Sequence, residues 1–314
     1  MLLWATDTHF DFVKGKRPSF MFGQYIKDEN PDATGLVVTG DITTGSAAGI
    51  SIENLAKGFE KPVYFVLGNH DYYDRSWDVV DKVTAQTVEK VDNLHWLDQG
   101  FHMIADGVAL CGAGGWYDAY YGNSMTEIEL MDFVVIKELA HNPRGLILDK
   151  CRARAQMQSN IMAGQIREAM KVADTIVVAT HVSPYQESSW HEGQPSDREW
   201  VPWFSSASTG MMLQELAKQN KDKKFVVLCG HSHSPGIYQH RDNIVVYTGK
   251  AVYRFPDLCG WIDLDKRMIK TYNSDRKLLE MKLEPEPFDD DELDASEDLE
   301  AGHESTGVVH DGEA

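Results

Sequence analysis

"VVLCGHSHSP" occupies residues 226–235. An unbroken apolar run ends in Gly230, and two histidines follow with one residue between them. Such a run fits a strand buried on both faces, as in a sheet covered by helices. Histidine is an uncommon ending for a strand of this kind. His231 and His233 therefore raise the question of what a sheet edge would do with two imidazoles.

Other runs of the same type supply the context. They are "LLWAT" (2–6), "GLVVTG" (35–40), "PVYFVLG" (62–68) and "TIVVAT" (175–180), with "KFVVLCG" (224–230) as the fifth. Helix-compatible stretches precede the last three. "SIENLAKGFE" comes before the third run and "TGMMLQELAKQN" before the fifth. "SNIMAGQIREAMKVA" comes before the fourth and sets Ile161, Ile166, Ala169 and Met170 on or near one face. Alternation of helix and strand predicts an α/β fold. Residues 101–117 predict a strand, a turn at Asp106-Gly107 and a second strand. "KAVYRF" (250–255) and "CGWIDLDKRMIKTYN" (259–273) predict hairpin strands, so a second sheet is expected.

Each of the five runs delivers a ligand type of side chain at the same end. The series is Asp7 and His9, then Asp41, then Asn69 and His70, then His181, then His231 and His233. The carboxyl ends of strands in an open α/β sheet form the crevice where ligands bind, so these residues should converge at one sheet edge. Asp7, His9, Asp41, Asn69, His181, His231 and His233 offer carboxylate, amide and imidazole donors without thiolate. That mixture suits Mn, Fe, Zn, Co or Ni. The set is too large for one ion and fits two divalent ions about 3.5–4 Å apart that share a carboxylate. Gly40, Gly68 and Gly230 each precede a ligand and let the backbone approach the ions. Any one of these residues could serve a turn or cap a helix. Repetition at five strand ends is what carries the inference.

The motifs "DTH" (7–9), "GD" (40–41), "GNHD" (68–71), "THVSP" (180–184) and "GHSH" (230–233) together resemble the calcineurin-like metallophosphoesterase superfamily, over about residues 1–250. The resemblance implies a two-sheet β-sandwich flanked by helices, a four-layer αββα arrangement. It implies that Asp7, His9, Asp41 and His233 hold one metal. Asp41, Asn69, His181 and His231 would hold the other, with Asp41 bridging. It further implies hydrolysis of a phosphoester by a metal-activated hydroxide, with His70 as general acid. Asp71 would then orient His70 or cap the segment that follows. "GDITTG" and "GNHD" depart from the GDxxDRG and GNHE words of the Ser/Thr protein phosphatases. "ALCGAGGWYDAYYG" (109–122) followed by "MDFVVIK" (131–137) resembles a subgroup of predicted phosphohydrolases with a "GATLWTDF"-like segment. On the substrate side, Tyr72, Tyr73 and Arg75 follow "GNHD". Trp116 and Tyr117 follow a glycine pair, and Tyr185 and His191 follow His181.

Composition narrows the function further. The chain has 314 residues, 42% of them hydrophobic, enough for a sizeable core. No apolar run reaches the roughly 18 residues of a membrane span, and "MLLWATDTHF" reads as a first strand rather than a leader. Cys111, Cys151, Cys229 and Cys259 are widely spaced, as buried reduced thiols of a cytoplasmic protein would be. The net charge is −19, with 13 of the 49 acidic residues and no Lys or Arg from Glu284 onward. Residues 1–283 are expected to form the catalytic domain. Residues 284–314 are expected to be a disordered acidic tail, able to bind a basic partner. The expected substrate is a small or medium phosphodiester or phosphomonoester, with cyclic nucleotides and related nucleotides first. An alternative is a nuclease, which the absence of a basic stripe disfavours. Another is a catalytically silent scaffold, which the full ligand set disfavours.

Overall fold

The computed structural model describes residues 1–272 and 277–282. Its first sheet contains four parallel strands, β1 (Leu2–Ala5), β2 (Gly35–Thr39), β3 (Val63–Val66) and β4 (Leu94–Trp96). Three antiparallel strands, β13 (Leu258–Asp263), β14 (Met268–Tyr272) and β15 (Leu278–Lys282), extend it beyond β1. The second sheet has a parallel centre of β6 (Val108–Gly112), β7 (Thr175–Ala179), β10 (Lys224–Cys229) and β12 (Ile244–Thr248). Antiparallel β5 (His102–Ala105) and β11 (Gly236–Arg241) close its two edges. A short hairpin of β8 (Trp190–His191) and β9 (Gln194–Pro195) lies apart from both.

Alternation within the apolar runs explains why the sheets stack. Leu2, Trp4, Val37 and Val66 of the first sheet pack against Leu110, Val177, Val226 and Leu228 of the second. The residues between them face outward. Leu3, Ala5, Leu36, Val38 and Phe65 meet α1 (Pro18–Glu29), α2 (Ala48–Phe59) and α3 (Trp77–Val88). Cys111, Ile176, Val178, Phe225 and Val227 meet α5 (Arg144–Ala169) and α7 (Ala207–Gln219). Both faces of every central strand are thus covered, and no polar position was needed in those runs. The layers are helix, sheet, sheet, helix, the α/β sandwich expected from the sequence. Single-turn helices α4 (Asp132–Val135) and α6 (Val201–Phe204) sit in long connections.

Two expectations change. "KAVYRF" forms no strand: residues 249–257 are a loop between β12 and β13, in which the Ala251 amide bonds to the His233 carbonyl. The helix expected over residues 159–173 begins at Arg144 and ends at Ala169. Its first half is rich in charge, and Arg154 is buried there because it pairs with Asp81 at 3.0 Å. The four cysteines are buried and unpaired. Among the described residues no helix is long and apolar enough to cross a membrane. The acidic stretch 284–314 lies outside the described residues.

Candidate metal centre

The ligand-type residues do not meet at the edge of one sheet. Asp7, His9, Asp41 and Asn69 leave β1, β2 and β3 of the first sheet, whereas His181, His231 and His233 leave β7 and β10 of the second. The carboxyl ends of both parallel centres open at the same end of the sandwich, and the residues converge between them.

Two groups form there. Asp7, His9, Asp41 and His233 each offer a ligand atom within 4.8 Å of the others, and so do Asp41, His181 and His231. Asp41 belongs to both. In the first group His9 Nε2 faces His233 Nε2 at 3.2 Å, and His233 Nε2 lies 3.3 Å from Asp7 Oδ1. In the second, His181 Nε2 lies 3.3 Å from Asp41 Oδ1 and 3.1 Å from Asn69 Oδ1. The two groups contain six of the seven residues singled out in the sequence, and the seventh, Asn69, places its Oδ1 beside the second group.

Backbone conformation brings them together. Asp7, His9, Asp41, His231 and His233 all have left-handed φ, between 40° and 71°. Each costs an L-residue roughly 1–2 kcal/mol, and such strain collects where a site demands it. Bonds between neighbouring loops hold it. The His70 amide donates to Asp41 Oδ1 at 2.9 Å, and the His231 amide donates to Asp7 Oδ2 at 3.1 Å. A β-carbon on Gly230 would lie 2.1 Å from Asp7 Oδ2, and one on Gly68 would lie 2.2 Å from Asp41 Oδ1. These two glycines let the loops approach.

The donors are also oriented. His181 Nδ1 donates to the Thr39 carbonyl at 2.9 Å, and His231 Nε2 donates to the Trp203 carbonyl at 2.8 Å. A carbonyl can only accept, so the tautomers are set: Nε2 of His181 and Nδ1 of His231 are left for a metal. The Asn69 amide donates to Asp132 Oδ1 at 3.0 Å, which turns its oxygen toward His181. Tyr73 and Tyr117 hydroxyls donate to Asp132 Oδ1 and Oδ2, each at 2.7 Å. Buried Asp132 thus gathers three donors behind Asn69.

Charge follows the same pattern. Burial would raise Asp41, but the imidazoles of His181 and His70 outweigh it and hold its carboxyl well below the ordinary range. Burial would lower His181, but Asp41 outweighs it and pushes the ring up to about 10. Burial pushes His9 and His231 down to about 4. The arrangement suits divalent ions: buried carboxylates lie among imidazoles whose nitrogens converge, as His9 Nε2 and His233 Nε2 do.

His70 lies just outside these groups. Its Nε2 is 3.9 Å from Asp41 Oδ2, its Nδ1 has no hydrogen-bond partner among the described residues, and its ring stacks on Tyr73 at 4.2 Å. Among the described residues the Asp71 carboxylate makes its hydrogen bonds to backbone amides rather than to the His70 ring. It accepts from the amides of Ile42 and Thr43 at 3.0 Å and of Gly68 at 2.9 Å, tying the loop of Asp41 to the loop of Asn69.

The substrate-side candidates are placed differently from expectation. Tyr72 is buried and bonded to Asp81 and Arg154. Trp116 packs against Trp77 in the core, and Tyr117 is buried on Asp132. Tyr185 is buried against His240, and Arg75 is exposed to solvent. None of these five lines the cleft over the metal groups; Tyr73 and His191 do. Asp132, Phe204 and Tyr253 also line it and were missed. Asp132 lies in the "MDFVVIK" segment, the only signal that could have found it. Tyr253 sits in "KAVYRF", whose apolar pattern predicts a strand but which forms a loop.

Residues 2–235 match the calcineurin-like phosphoesterase family. Among solved structures, a phosphopantetheinyl hydrolase from Mycobacterium tuberculosis superposes with a TM-score of 0.57 at 14% identity, over 81% of this chain and 89% of that one. A dimetal phosphatase from Danio rerio superposes with a TM-score of 0.57 at 11% identity, over 90% and 98%. At these identities the likeness is one of fold. No curated protein gives a significant match. The family match covers all five motifs and both donor groups, and the chain belongs to the calcineurin-like phosphoesterase family.

Proposed function

We propose that this chain is a dinuclear metal-dependent hydrolase of phosphoesters, with Asp41 bridging two ions and His70 as general acid. The observation that carries the proposal is the sharing of Asp41 by two donor groups, with His70 bonded to that same carboxylate through its amide. Bound there, two ions of Mn, Fe, Zn, Co or Ni would neutralise phosphoryl oxygens and generate a nucleophile from water near neutral pH.

The chain's own residues supply the rest. Asp7, His9 and His233 hold one position, and Asn69, His181 and His231 hold the other. Asp132 keeps the Asn69 oxygen inward. Asp71 ties the two loops on which Asp41 and Asn69 stand, so it positions the site without touching the substrate. His70 Nε2 faces the cleft beside Asp41, where it can hand a proton to the departing ester oxygen. Such assistance is typically worth 10²–10⁴-fold.

A hydrolysis panel tests the proposal. The chain is loaded with Mn and offered a bis-aryl phosphate, a mono-aryl phosphate, a cyclic nucleotide and single-stranded DNA, with metal content measured in parallel. Turnover of at least one small ester with two ions per chain is expected. Turnover of DNA alone would favour the nuclease reading, and no turnover by a fully loaded chain would favour a silent scaffold.

A further inference from the structure

We infer that the preferred substrate is a monoanionic phosphodiester carrying an aromatic group, rather than a phosphomonoester, a polyphosphate or a nucleic-acid strand. The inference rests on the phosphoesterase reading of the same cleft. It comes from the walls, which that reading does not use.

Above the donor groups the cleft is walled by Tyr73, Leu130, Met131, His191, Phe204 and Tyr253. None of the described residues that line it is Lys or Arg. Single exposed apolar side chains are ordinary on a protein surface. Here they gather around one opening. Tyr253 is 41% exposed and Met131 is 58% exposed. Tyr253 packs on His9 at 4.5 Å and on Phe12 at 4.8 Å, so it is held at the rim. Phe204, which also lines the cleft, stands 5.6 Å from His191 and stacks on Trp200 at 5.4 Å. Both rings can present apolar surface to a group entering the cleft.

The charge balance points the same way. Two divalent ions bring about four positive charges, and the carboxylates of Asp7, Asp41 and Asp132 together with a metal-activated hydroxide offset about four. With no Lys or Arg among the described lining residues, a diester monoanion is the phosphoester that leaves the least negative charge unmatched. A monoester dianion or a polyphosphate would bring negative charge that no wall residue meets. A nucleic-acid strand would need a basic track for its further phosphates. An aromatic ester group, in contrast, gains stacking and apolar burial against Tyr253 and Phe204.

Binding and turnover together test this. Calorimetry on the metal-loaded full chain compares diphenyl phosphate with phenyl phosphate, and diphenyl phosphate should bind about tenfold more tightly. Methyl 4-nitrophenyl phosphate and bis(4-nitrophenyl) phosphate share a leaving group and charge and differ by one ring. The second should have the lower KM, by about fivefold to tenfold. Tyr253→Ser and Phe204→Ser should each shrink the diphenyl-to-phenyl affinity ratio, whereas Tyr253→Phe should preserve it. Equal or tighter binding of phenyl phosphate, or a ratio unmoved by both serine variants, would overturn the inference while leaving the phosphoesterase proposal intact. A fully loaded chain that hydrolyses a mono-aryl phosphate but neither diester would likewise overturn the inference alone, whereas one that hydrolyses no phosphoester would remove the proposal and this inference with it.

Discussion

At the residue scale, His70 and Asp132 make separable demands on the site. His70→Asn should keep both ions and the fold and slow turnover by about 10²–10⁴-fold. The loss should be smallest for an aryl leaving group of low pKa and largest for an alkyl or sugar alkoxide. An equal loss on both would make His70 a phosphate-positioning residue, and loss of metal would make it a ligand. Asp132→Asn replaces an acceptor of three hydrogen bonds by a group with one accepting oxygen. The Asn69 amide loses its fixed orientation, and metal affinity should fall about 10–100-fold when measured by chelator competition. Unchanged affinity would confine Asp132 to packing. His181 governs the pH dependence. Its raised value means that the metal-free chain carries a proton there at pH 8, whereas a ligand nitrogen must be free. Metal binding should therefore release protons at pH 8, and affinity should climb with pH until about 10. In the metal-free fold the same ring stabilises fully below its unfolded value and ceases to do so as pH rises through about 10. Asp41, whose value is depressed, stabilises above its unfolded value and stops doing so in acid. Calorimetry in two buffers of different ionisation enthalpy counts the protons; none released at pH 8 would contradict the assignment.

At the element scale, the five strands were legible because each is an unbroken apolar run that ends in a ligand. Of the two edge strands of the second sheet, β5 was legible from its turn at Asp106-Gly107, but β11 was not. β11 reads "GIYQHR", and its residues are only partly buried, so no periodic apolar signal marks it. Helix α5 was half legible for a related reason. Its first half contacts the core through Ile147, Leu148 and Cys151, but Lys150, Arg152 and Arg154 interrupt the apolar face. Within the legible half, Gly164 is exposed, and a β-carbon there would meet nothing within 4 Å. Gly164→Ala should raise stability by about 0.5–1 kcal/mol in urea unfolding, because alanine loses less backbone freedom in a helix. A destabilised variant would mean that this face of α5 is not open to solvent.

At the scale of the whole molecule, two sheets join their parallel centres face to face and open them at one end. This is why three strands of one sheet and two of the other complete a single site. The acidic stretch has no apolar face to add to such a sandwich. Ending the chain at Leu283 should leave the melting temperature and small-ester turnover unchanged. A drop in melting temperature would show that the stretch packs on the body.

The sequence by itself determined the chemistry of the centre. Ligand identity is a property of side-chain type, and its repetition at the ends of apolar runs survives in one dimension. It also determined the α/β class, since hydrophobic runs report burial directly. The tertiary structure alone decided which residues line the cleft. Tyr72, Trp116, Tyr117 and Tyr185 stand next to motifs in sequence, yet the core claims their rings. Tyr253 and Phe204 lie far from any motif, yet loop paths carry them to the cleft. Chain proximity predicts contact only where the backbone is regular. Wall residues come from irregular connections, whose course is fixed by packing between distant parts of the chain.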